Sequence, residues 1–421
     1  MAGATLLADF RRFARERAMA GSAFIVGGTV RDILAGVKNP VDADIALKGN
    51  AVKAARRFAR EAGATFVLLD ERFGMARVVR GGERLDISRF RGRTIEEDLA
   101  KRDITINAMA FPLDSRRLID PLGGARDLMK GTVRMVSEGN LVEDPLRILR
   151  CYRFAAAGGF RIERQTEAVL KKLAPLLKRP APERVTEEVR KILESQGAAR
   201  TLERMLGNGA LRAVMPGARG ENLNALKDLR RMWGRFPFWK DLGYFEKNPD
   251  ARFALELALL AYGTAGRALG RLVLSKREKG LIGRIYLFRR GLIRLFKKGG
   301  LFKKGGGAPG RKARVKILRD AGDEICAHLL FSYALMKGGE AGPFLEFSKR
   351  LLALYMKDVR PRLAGKPLNG DDLKKEFGLP PSRLFKTVLD GVRMKWVLGE
   401  VRNRKEALEE ARRIIAHAKQ E

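Results

Sequence analysis

Two aspartates, Asp42 and Asp44, stand two positions apart at the start of an apolar stretch. The stretch Asp42–Leu47 predicts a β-strand, and alternate residues of a strand share a face, so both carboxylates project from one sheet surface about 7 Å apart. Magnesium ions are usually held by one or two carboxylates together with substrate phosphates. The pair therefore predicts a metal-dependent phosphoryl or nucleotidyl transfer site. Taken alone, the pattern also fits a solvated strand edge.

A phosphate-binding turn is predicted just upstream of the aspartates. Gly27 and Gly28 lie between a predicted strand, Phe24–Gly28, and a predicted short helix, Val30–Ala35. Glycine lets the backbone approach a ligand closely, and the N–H groups at the start of a helix favour an anion. Arg31, one turn into the helix, can hold the same phosphate with two hydrogen bonds. The alternative is a tight turn beside a surface arginine.

Further downstream, three more positions fit the same chemistry. Asp86 lies in a predicted strand, Leu85–Ser88, and is expected to be a third catalytic carboxylate or a sheet-end aspartate. Lys101 and Arg102 follow a predicted helix and are close enough to a strand to contact a second phosphate. Asp103 is expected to orient the arginine.

An aspartate and three arginines recur every third residue in the sequence EDPLRILRCYRF. They are Asp144, Arg147, Arg150 and Arg153. This spacing predicts one face of a helix, with Phe154 turned elsewhere. Three arginines on one stripe repel each other in solvent but suit a phosphate chain, and an Asp with an Arg offers an acceptor and a donor edge for a base. The alternative is a surface helix crossed by salt bridges.

The composition indicates a polyanionic partner. Lys and Arg total 85 against 49 Asp and Glu, a formal net charge of +36 over 421 residues. Nucleic acid or an acidic membrane face are the usual partners of such a surface. No apolar run approaches the ~20 residues of a membrane span. Cys151 and Cys326 form neither a disulfide framework nor a paired metal motif, which favours a reducing compartment and predicts a cytoplasmic protein without zinc.

Predicted strands are concentrated in the first third of the chain, and helical periodicity dominates from about Asp144 onward. A segment rich in Lys and Gly, Arg289–Lys316, contains LFKKGG twice and is predicted to be a flexible basic linker or loop. The remaining expected elements are a helix at Ala51–Ala62 and strands at Thr65–Leu69, Met75–Val79 and Ile106–Phe111.

Five motifs resemble the class II tRNA nucleotidyltransferase and bacterial poly(A) polymerase family. They are GGTVRD followed by DAD, then EEDLAKRDITINAMAF, IDPLGGARDL and EDPLRILRCYRFAAAGGF. The resemblance is strong over residues 22–195 and looser in the helical remainder. It implies an α+β fold, in which a polymerase-β-like nucleotidyltransferase palm is followed by all-α neck, body and tail domains. The expected domains are a palm at 1–137, a neck at 138–200, a body at 201–288, the basic linker at 289–316 and an RNA-binding tail at 317–421.

The resemblance also implies a role for each motif residue. Asp42 and Asp44 are expected to bind Mg²⁺, and Asp144 with Arg147 to read the Watson–Crick edge of the incoming base without a nucleic-acid template. The residues expected to hold the nucleotide phosphates are Gly28, Arg31, Arg102, Arg150 and Arg153, beside Gly27 in the turn.

The implied activity is addition of C, A or both from CTP and ATP to the 3′ end of tRNA, with the helical domains holding the acceptor arm. A poly(A) polymerase would share every catalytic motif and is the first alternative. A non-catalytic RNA-binding protein, which explains the charge but not the carboxylates, is the second.

The chain departs from the family pattern in two places, and it lacks the histidines of a domain that some members carry. Lys101 replaces the first arginine of an Arg-Arg-Asp motif, which exchanges a planar fork for a point charge. The segment ISRFRGRTI, between Asp86 and Glu96, is much shorter than in CCA-adding members, which favours a CC-adding specialist. Some members carry an HD phosphohydrolase domain that needs several histidines, and this chain has only His328 and His417, which excludes that activity.

Overall fold

The structure is a computed structural model that describes residues 5–37, 42–235, 243–264, 266–298 and 310–418. The chain divides into two compact units. The first comprises Met1–Ala218 and Arg267–Val273, and the second comprises Arg219–Gly266 and Leu274–Glu421. The first unit contains both the predicted palm and the predicted neck. The finer division into five parts stays a prediction, apart from the linker, whose ends the structure corrects as described below.

The first unit holds every strand of the described residues. Its elements are α1 Leu6–Glu16, β1 Ala23–Val26, α2 Gly28–Leu34, β2 Asp42–Leu47, α3 Ala51–Glu61, β3 Thr65–Asp70, β4 Met75–Arg80, β5 Glu83–Arg89, α4 Ile95–Ala100, β6 Ala110–Pro112, α5 Gly124–Met129, β7 Thr132–Val133, α6 Glu138–Glu143, α7 Leu146–Gly158, β8 Arg161–Ile162, α8 Arg164–Leu173, α9 Pro182–Glu194, α10 Ala198–Gly207 and α11 Ala210–Val214.

A six-stranded mixed sheet of order β3-β4-β5-β2-β1-β6 forms the centre of this unit. The pair β2 and β5 is parallel and the other neighbours are antiparallel. Alternation along the strands gives the sheet two different faces. Ala43 and Ile45 of β2 and Leu85 and Ile87 of β5 are buried in the main core with α1 and α3. The intervening aspartates therefore lie on the opposite face. A mixed sheet covered by helices on one face confirms the predicted α+β palm.

The apolar spacing of α3 explains why it covers that core. Asn50 caps the helix by accepting a hydrogen bond from the Lys53 N–H, and the buried positions recur at intervals of three and four residues. Phe58 meets Phe10 of α1 with ring centroids 5.0 Å apart. The aromatic contact holds α1 and α3 together over the sheet.

One expected strand is shorter than its sequence suggests. The sequence predicts a strand at Ile106–Phe111. The observed strand, β6, covers only Ala110–Pro112, and Thr105–Asn107 form a 3₁₀ turn instead. The cause is local hydrogen bonding: Asp103 accepts from the Ile104 N–H and from the Asn107 side-chain amide, which bends the backbone.

The second unit is helical throughout its described residues. Its helices are α12 Gly220–Arg235, α13 Tyr244–Lys247, α14 Pro249–Leu260, α15 Lys276–Lys298, α16 Arg311–Ala321, α17 Ile325–Ala334, α18 Ala341–Leu354, α19 Arg360–Ala364, α20 Gly370–Phe377, α21 Arg383–Leu398 and α22 Arg404–Ala418, with a π-helical turn at Tyr355–Val359 before α19. No helix among the described residues is both long and apolar enough to cross a membrane.

The predicted linker Arg289–Lys316 is wrong at both ends. Its first ten residues complete α15, and residues 311–316 begin α16. The reason is packing: Leu292 and Leu295 are buried three positions apart, and Phe296 contacts Phe344 with ring centroids 5.2 Å apart. Residues 299–309, which carry most of the glycines, lie outside the described part of the chain.

Candidate active site

The strand register brings three aspartates onto one face of the sheet. In the parallel pair β2 and β5, Asp44 stands directly opposite Asp86, and Asp42 stands opposite Arg84. Asp42 and Asp44 share a face because they are two residues apart. All three carboxylates therefore project from the face opposite the α1 and α3 core, as the sequence predicts for Asp42 and Asp44.

Arginines on neighbouring strands contact two of these carboxylates. Arg84 donates to Asp42 from Nε and Nη2 at 2.7 and 2.8 Å. Arg77 of β4 donates to Asp86 in the same way, again at 2.7 and 2.8 Å. Both are bidentate ion pairs, the geometry that best matches a guanidinium to a carboxylate.

Asp44 is held differently, by the first two residues of α2. Its backbone N–H donates to Thr29 Oγ1 at 2.8 Å, and its carboxylate accepts from the Gly28 N–H. Burial raises the pKa of Asp44 and the nearby charge of Asp86 raises it further, while Arg102 and the Gly28 hydrogen bond oppose the shift. Burial thus makes the ionised form of Asp44 more costly than that of an exposed carboxylate, and a bound cation would reduce this cost.

The predicted glycine turn lies against this carboxylate. Gly27 has φ +67°, in the left-handed region. A Cβ at Gly27 would lie 2.9 Å from Arg102 Nη1 and 3.2 Å from Asp44 Oδ2. Only glycine allows this approach, so the turn, the aspartate and Arg102 are brought together as the sequence predicts.

A buried amide connects the predicted phosphate ligands. Arg31 Nη1 donates to Asn107 Oδ1 at 3.0 Å, and Asn107 Nδ2 donates to Asp103 Oδ1 at 3.2 Å. Arg102 donates to the Asn107 carbonyl at 3.4 Å and to Asp98 Oδ2 at 2.9 Å. The expected role of Asp103 is corrected here, because its ion partner is a different arginine.

That partner is Arg150 on α7. Arg150 Nε donates to Asp103 Oδ2 at 2.7 Å. Complete burial would raise the pKa of Asp103, but the charge and hydrogen bond of Arg150 and the Asn107 amide lower it to about 2. Arg153, one turn on, forms an ion pair with buried Glu188 at 2.9 Å.

The expectation that Phe154 turns away from the arginines is wrong. Guanidinium carbons of Arg31, Arg150 and Arg153 lie 5.2, 5.9 and 4.4 Å from the centre of its ring. The negative face of an aromatic ring attracts cations, so Phe154 lets three arginines approach one another. Cys151 instead faces the interior of the unit and is fully buried, and burial raises the pKa of its thiol.

The predicted base-reading pair lies at the start of α7. Asp144 precedes the helix rather than lying on its face, which corrects the expected four-residue stripe. Its carboxylate accepts from Arg184 Nη2 at 3.1 Å and from the Leu146 N–H at 3.2 Å. Arg147 Nη1 donates to the Asn140 carbonyl at 3.2 Å. Burial lowers the pKa of Arg147, and neighbouring Arg91 lowers it further.

Family models match two segments of the chain. Residues 23–134 match the poly(A) polymerase head domain. Residues 159–220 match the probable RNA- and SrmB-binding site of polymerase A. The first segment contains the glycine turn and all three aspartates of the sheet face.

The curated relatives decide the family. A CC-adding tRNA nucleotidyltransferase of Geobacter sulfurreducens is 33% identical over 407 residues, which cover 91% of this chain and 90% of that protein. The chain belongs to the tRNA nucleotidyltransferase family. A CC-adding enzyme of Synechocystis is 38% identical over 48% of the chain, and the match spans only about half (49%) of that relative. Relatives named as A-adding enzymes also match.

Solved structures of the family support the fold over nearly the whole chain. The Thermotoga maritima CCA-adding enzyme complexed with tRNA(CCA) superposes with a TM-score of 0.68 at 27% identity, covering 96% of this chain and 93% of that one. The helix-rich architecture with one mixed sheet is therefore that of a tRNA nucleotidyltransferase.

Nucleotidyltransferases of this family generally use divalent metal ions. Within the part of the chain that the structure describes, no three His, Cys, Asp or Glu side chains form a ready metal cage. The donor set nevertheless fits a hard cation, because Asp42, Asp44 and Asp86 offer only carboxylate oxygens on one face and substrate phosphates complete such sites. Soft-metal ligands are not part of this set.

Several residues of this candidate site were not predicted from the sequence. They are Arg77, Arg84, Asn107, Phe154, Arg184 and Glu188. Arg84 could have been predicted to lie near the carboxylates, because it stands two residues before Asp86 in a strand and therefore lies on the same face of the sheet. Arg184 and Glu188 could not have been predicted, since only the packing of α9 brings them to α7.

Proposed function

We propose that this protein adds C, A or both, from CTP and ATP, to the 3′ end of tRNA without a template. The observation that carries the proposal is the meeting of Asp44, the Gly27–Gly28 turn and Arg102, with Arg31 held through Asn107. This arrangement offers a carboxylate and several phosphate ligands to one nucleotide. The match to a CC-adding enzyme over nine-tenths of both chains supports it.

In the proposed reaction, the 3′-hydroxyl of the RNA attacks the α-phosphorus of the nucleotide, a phosphodiester forms and pyrophosphate leaves. Asp42, Asp44 and Asp86 would hold the magnesium ion, Mg²⁺, which would make the attacking hydroxyl more acidic, so that its proton is lost to solvent, and would offset charge on the phosphate oxygens. Positioning falls to the arginines. Those proposed to bind the triphosphate are Arg31, Arg102, Arg150 and Arg153.

Protein side chains would choose the base. Asp144 offers hydrogen-bond acceptors and Arg147 offers donors, which suits the Watson–Crick edges of C and A. Arg184 and the Leu146 N–H fix the Asp144 carboxylate, and the Asn140 carbonyl fixes Arg147. A fixed pair can discriminate because a wrong base leaves a polar group unpaired.

We further propose CC-addition as the specific activity. The short connection between β5 and α4 is tied to the helix: the Arg91 N–H donates to Asp98 at 3.0 Å, the Arg93 N–H donates to Glu97 at 2.8 Å, and the Lys101 ammonium contacts the Arg91 carbonyl. A segment held this closely does not supply the long flexible element associated with the exchange of CTP for ATP.

The basic surface would hold the tRNA backbone in the cytoplasm. Counterion release on binding a polyanion makes affinity fall steeply with salt, so tRNA binding is expected to weaken by orders of magnitude between low and moderate ionic strength.

One assay tests the proposal. The protein is incubated with tRNA ending at the discriminator base, at C or at CC, and is given CTP and ATP separately. Addition of C to the first two substrates without addition of A to any substrate supports a CC-adding enzyme, and addition of A to the CC-ended tRNA without addition of C supports an A-adding enzyme. Both additions together support a full CCA-adding enzyme. Long A tails on unrelated RNA would instead identify a poly(A) polymerase. Full incorporation by Asp42→Ala and Asp44→Ala variants would overturn the assignment of the site.

A further inference from the structure

Two arginines occupy the carboxylates assigned to the metal ion. Arg84 uses both Nε and Nη2 on Asp42, and Arg77 does the same on Asp86. A guanidinium fork of this kind covers both oxygens of its carboxylate. A metal ion that needs one of those oxygens must therefore displace the arginine, at least in part.

The backbone places these arginines opposite their partners. Arg84 pairs with Asp42 in the β2 and β5 ladder, and Arg77 pairs with Asp86 in the β4 and β5 ladder. Opposite charges directly across strands attract and like charges repel. With three aspartates on one face, each arginine offsets a repulsion that the metal-free sheet would otherwise carry.

The two ion pairs differ in exposure. The side chains of Arg77 and Asp86 are 34% and 27% exposed, whereas those of Arg84 and Asp42 are 50% and 60% exposed. Water screens the second pair more strongly, so the first pair is the stronger competitor.

We propose that Arg77 and Arg84 set the affinity of the site for its divalent cation by occupying Asp86 and Asp42 until the cation displaces them. This inference rests on the proposed function, because that function assigns the carboxylates to the ion. If either arginine–aspartate ion pair is weakened, the cation displaces the arginine more easily and binds more tightly. The same change lowers the stability of the metal-free protein, because the repulsion among its aspartates is no longer offset by the arginines.

Titration of the full-length protein with Mn²⁺, without nucleotide or RNA, tests the proposal through the electron paramagnetic resonance signal of the free ion. Arg77→Gln is expected to lower the Kd roughly fivefold and Arg84→Gln roughly twofold, in line with their exposure. The double variant is expected to lower it roughly tenfold. Melting curves in chelator report the cost: both variants unfold at lower temperature than the wild type, and Mn²⁺ raises their melting temperature by more.

Arg77→Lys is the matched control because it keeps the charge and loses the fork. It is expected to tighten Mn²⁺ binding by an intermediate factor. Wild-type affinity in Arg77→Lys would show that net charge alone governs the site, and wild-type affinity in Arg77→Gln would show no competition, so either result overturns the inference.

Asp44→Asn separates this inference from the proposed function. If Asp44→Asn abolishes Mn²⁺ binding while the arginine variants change nothing, only the role of the arginines is wrong. If Asp44→Asn binds Mn²⁺ like the wild type, the ion lies elsewhere and the assigned site fails together with the inference.

Discussion

Arg31 and Asp103 are joined through one buried amide: Asn107 accepts from Arg31 at 3.0 Å and donates to Asp103 at 3.2 Å. Asp103 in turn pairs with Arg150 of α7 at 2.7 Å. Asn107 thereby fixes an arginine of α2 relative to an arginine of α7, and both are proposed triphosphate ligands. A buried amide thus fixes the positions of two proposed triphosphate ligands relative to each other.

We expect Asn107→Ala to raise the KM for CTP roughly tenfold with a smaller change in kcat. Without the amide, Arg31 loses its partner in the 3₁₀ turn Thr105–Asn107, and the buried groups left unpaired cost about 1–3 kcal/mol of stability. Steady-state kinetics and urea unfolding measure the two effects.

Asn222→Ala is the matched control for this prediction. Asn222 is 6% exposed against 5% for Asn107, and its amide donates to the carbonyls of Leu260 and Tyr262 in the second unit. We expect a similar loss of stability with the KM unchanged. An equal rise in KM in both variants would mean that Asn107 acts only on folding.

Phe154→Leu is expected to weaken CTP binding roughly tenfold, because it removes the ring that three guanidiniums share and each cation–π contact contributes about 0.5–1 kcal/mol. Phe154→Tyr keeps the ring and is expected to bind CTP like the wild type. Isothermal titration calorimetry measures both. Equal affinity in the leucine and tyrosine variants would reduce Phe154 to a packing residue.

Asp44→Asn is expected to stabilise the metal-free protein at pH 7. Burial raises the pKa of Asp44 above its value of about 3.9 in an unfolded chain. Between these two values the folded state keeps a proton that the unfolded state has lost, so wild-type stability falls as pH rises and then stays constant above the raised pKa. The advantage of the variant therefore shrinks as pH is lowered toward 4.

Urea midpoints in chelator at pH 7 and pH 4 measure this effect. Asp42→Asn serves as the comparison, because it loses the ion pair with Arg84 and is expected to be no more stable than the wild type at pH 7. Lower stability of Asp44→Asn at pH 7 would mean that the fold stabilises this carboxylate.

Arg184→Ala is expected to relax base selection. Without the hydrogen bond from Arg184, which is 3.1 Å long, the Asp144 carboxylate rotates more freely. The ratio of kcat/KM for CTP to kcat/KM for UTP is therefore expected to fall roughly threefold. The effect is small because the ion pair between Arg184 and Asp144 is partly exposed to water. Lys172→Ala breaks another exposed ion pair, with Glu138, and should leave the ratio unchanged. An equal loss of kcat/KM for both nucleotides would place the effect of Arg184 outside selection.

The parts of the site that follow from local chain geometry could be predicted from the sequence. The face shared by Asp42 and Asp44 follows from strand periodicity, and the Gly27–Gly28 turn follows from glycine between a strand and a helix. Strand positions at β2 to β5 agree with the expected ranges to within two residues.

The partners across the site could not be predicted, because they depend on which elements pack together. Sequence spacing placed Arg150 among phosphate ligands but could not show that its partner is Asp103, 47 positions away. The same limit explains Phe154: helical periodicity placed it off the arginine stripe, whereas the approach of Arg31 from α2 surrounds its ring with cations. At residues 289–298, glycine content suggested a linker, but buried leucines extend the helix.

The alkylation rate of Cys151 can report how often α7 opens. The helix carries Arg150 and Arg153, two proposed triphosphate ligands, and turns this thiol into the protein interior, where an alkylating reagent has no access. Because the thiol is buried, it reacts only when α7 separates from its neighbours. The alkylation rate therefore reports how often this local opening occurs. A nucleotide that binds the two arginines would lower the alkylation rate, and the decrease would measure how firmly the substrate holds α7 in place.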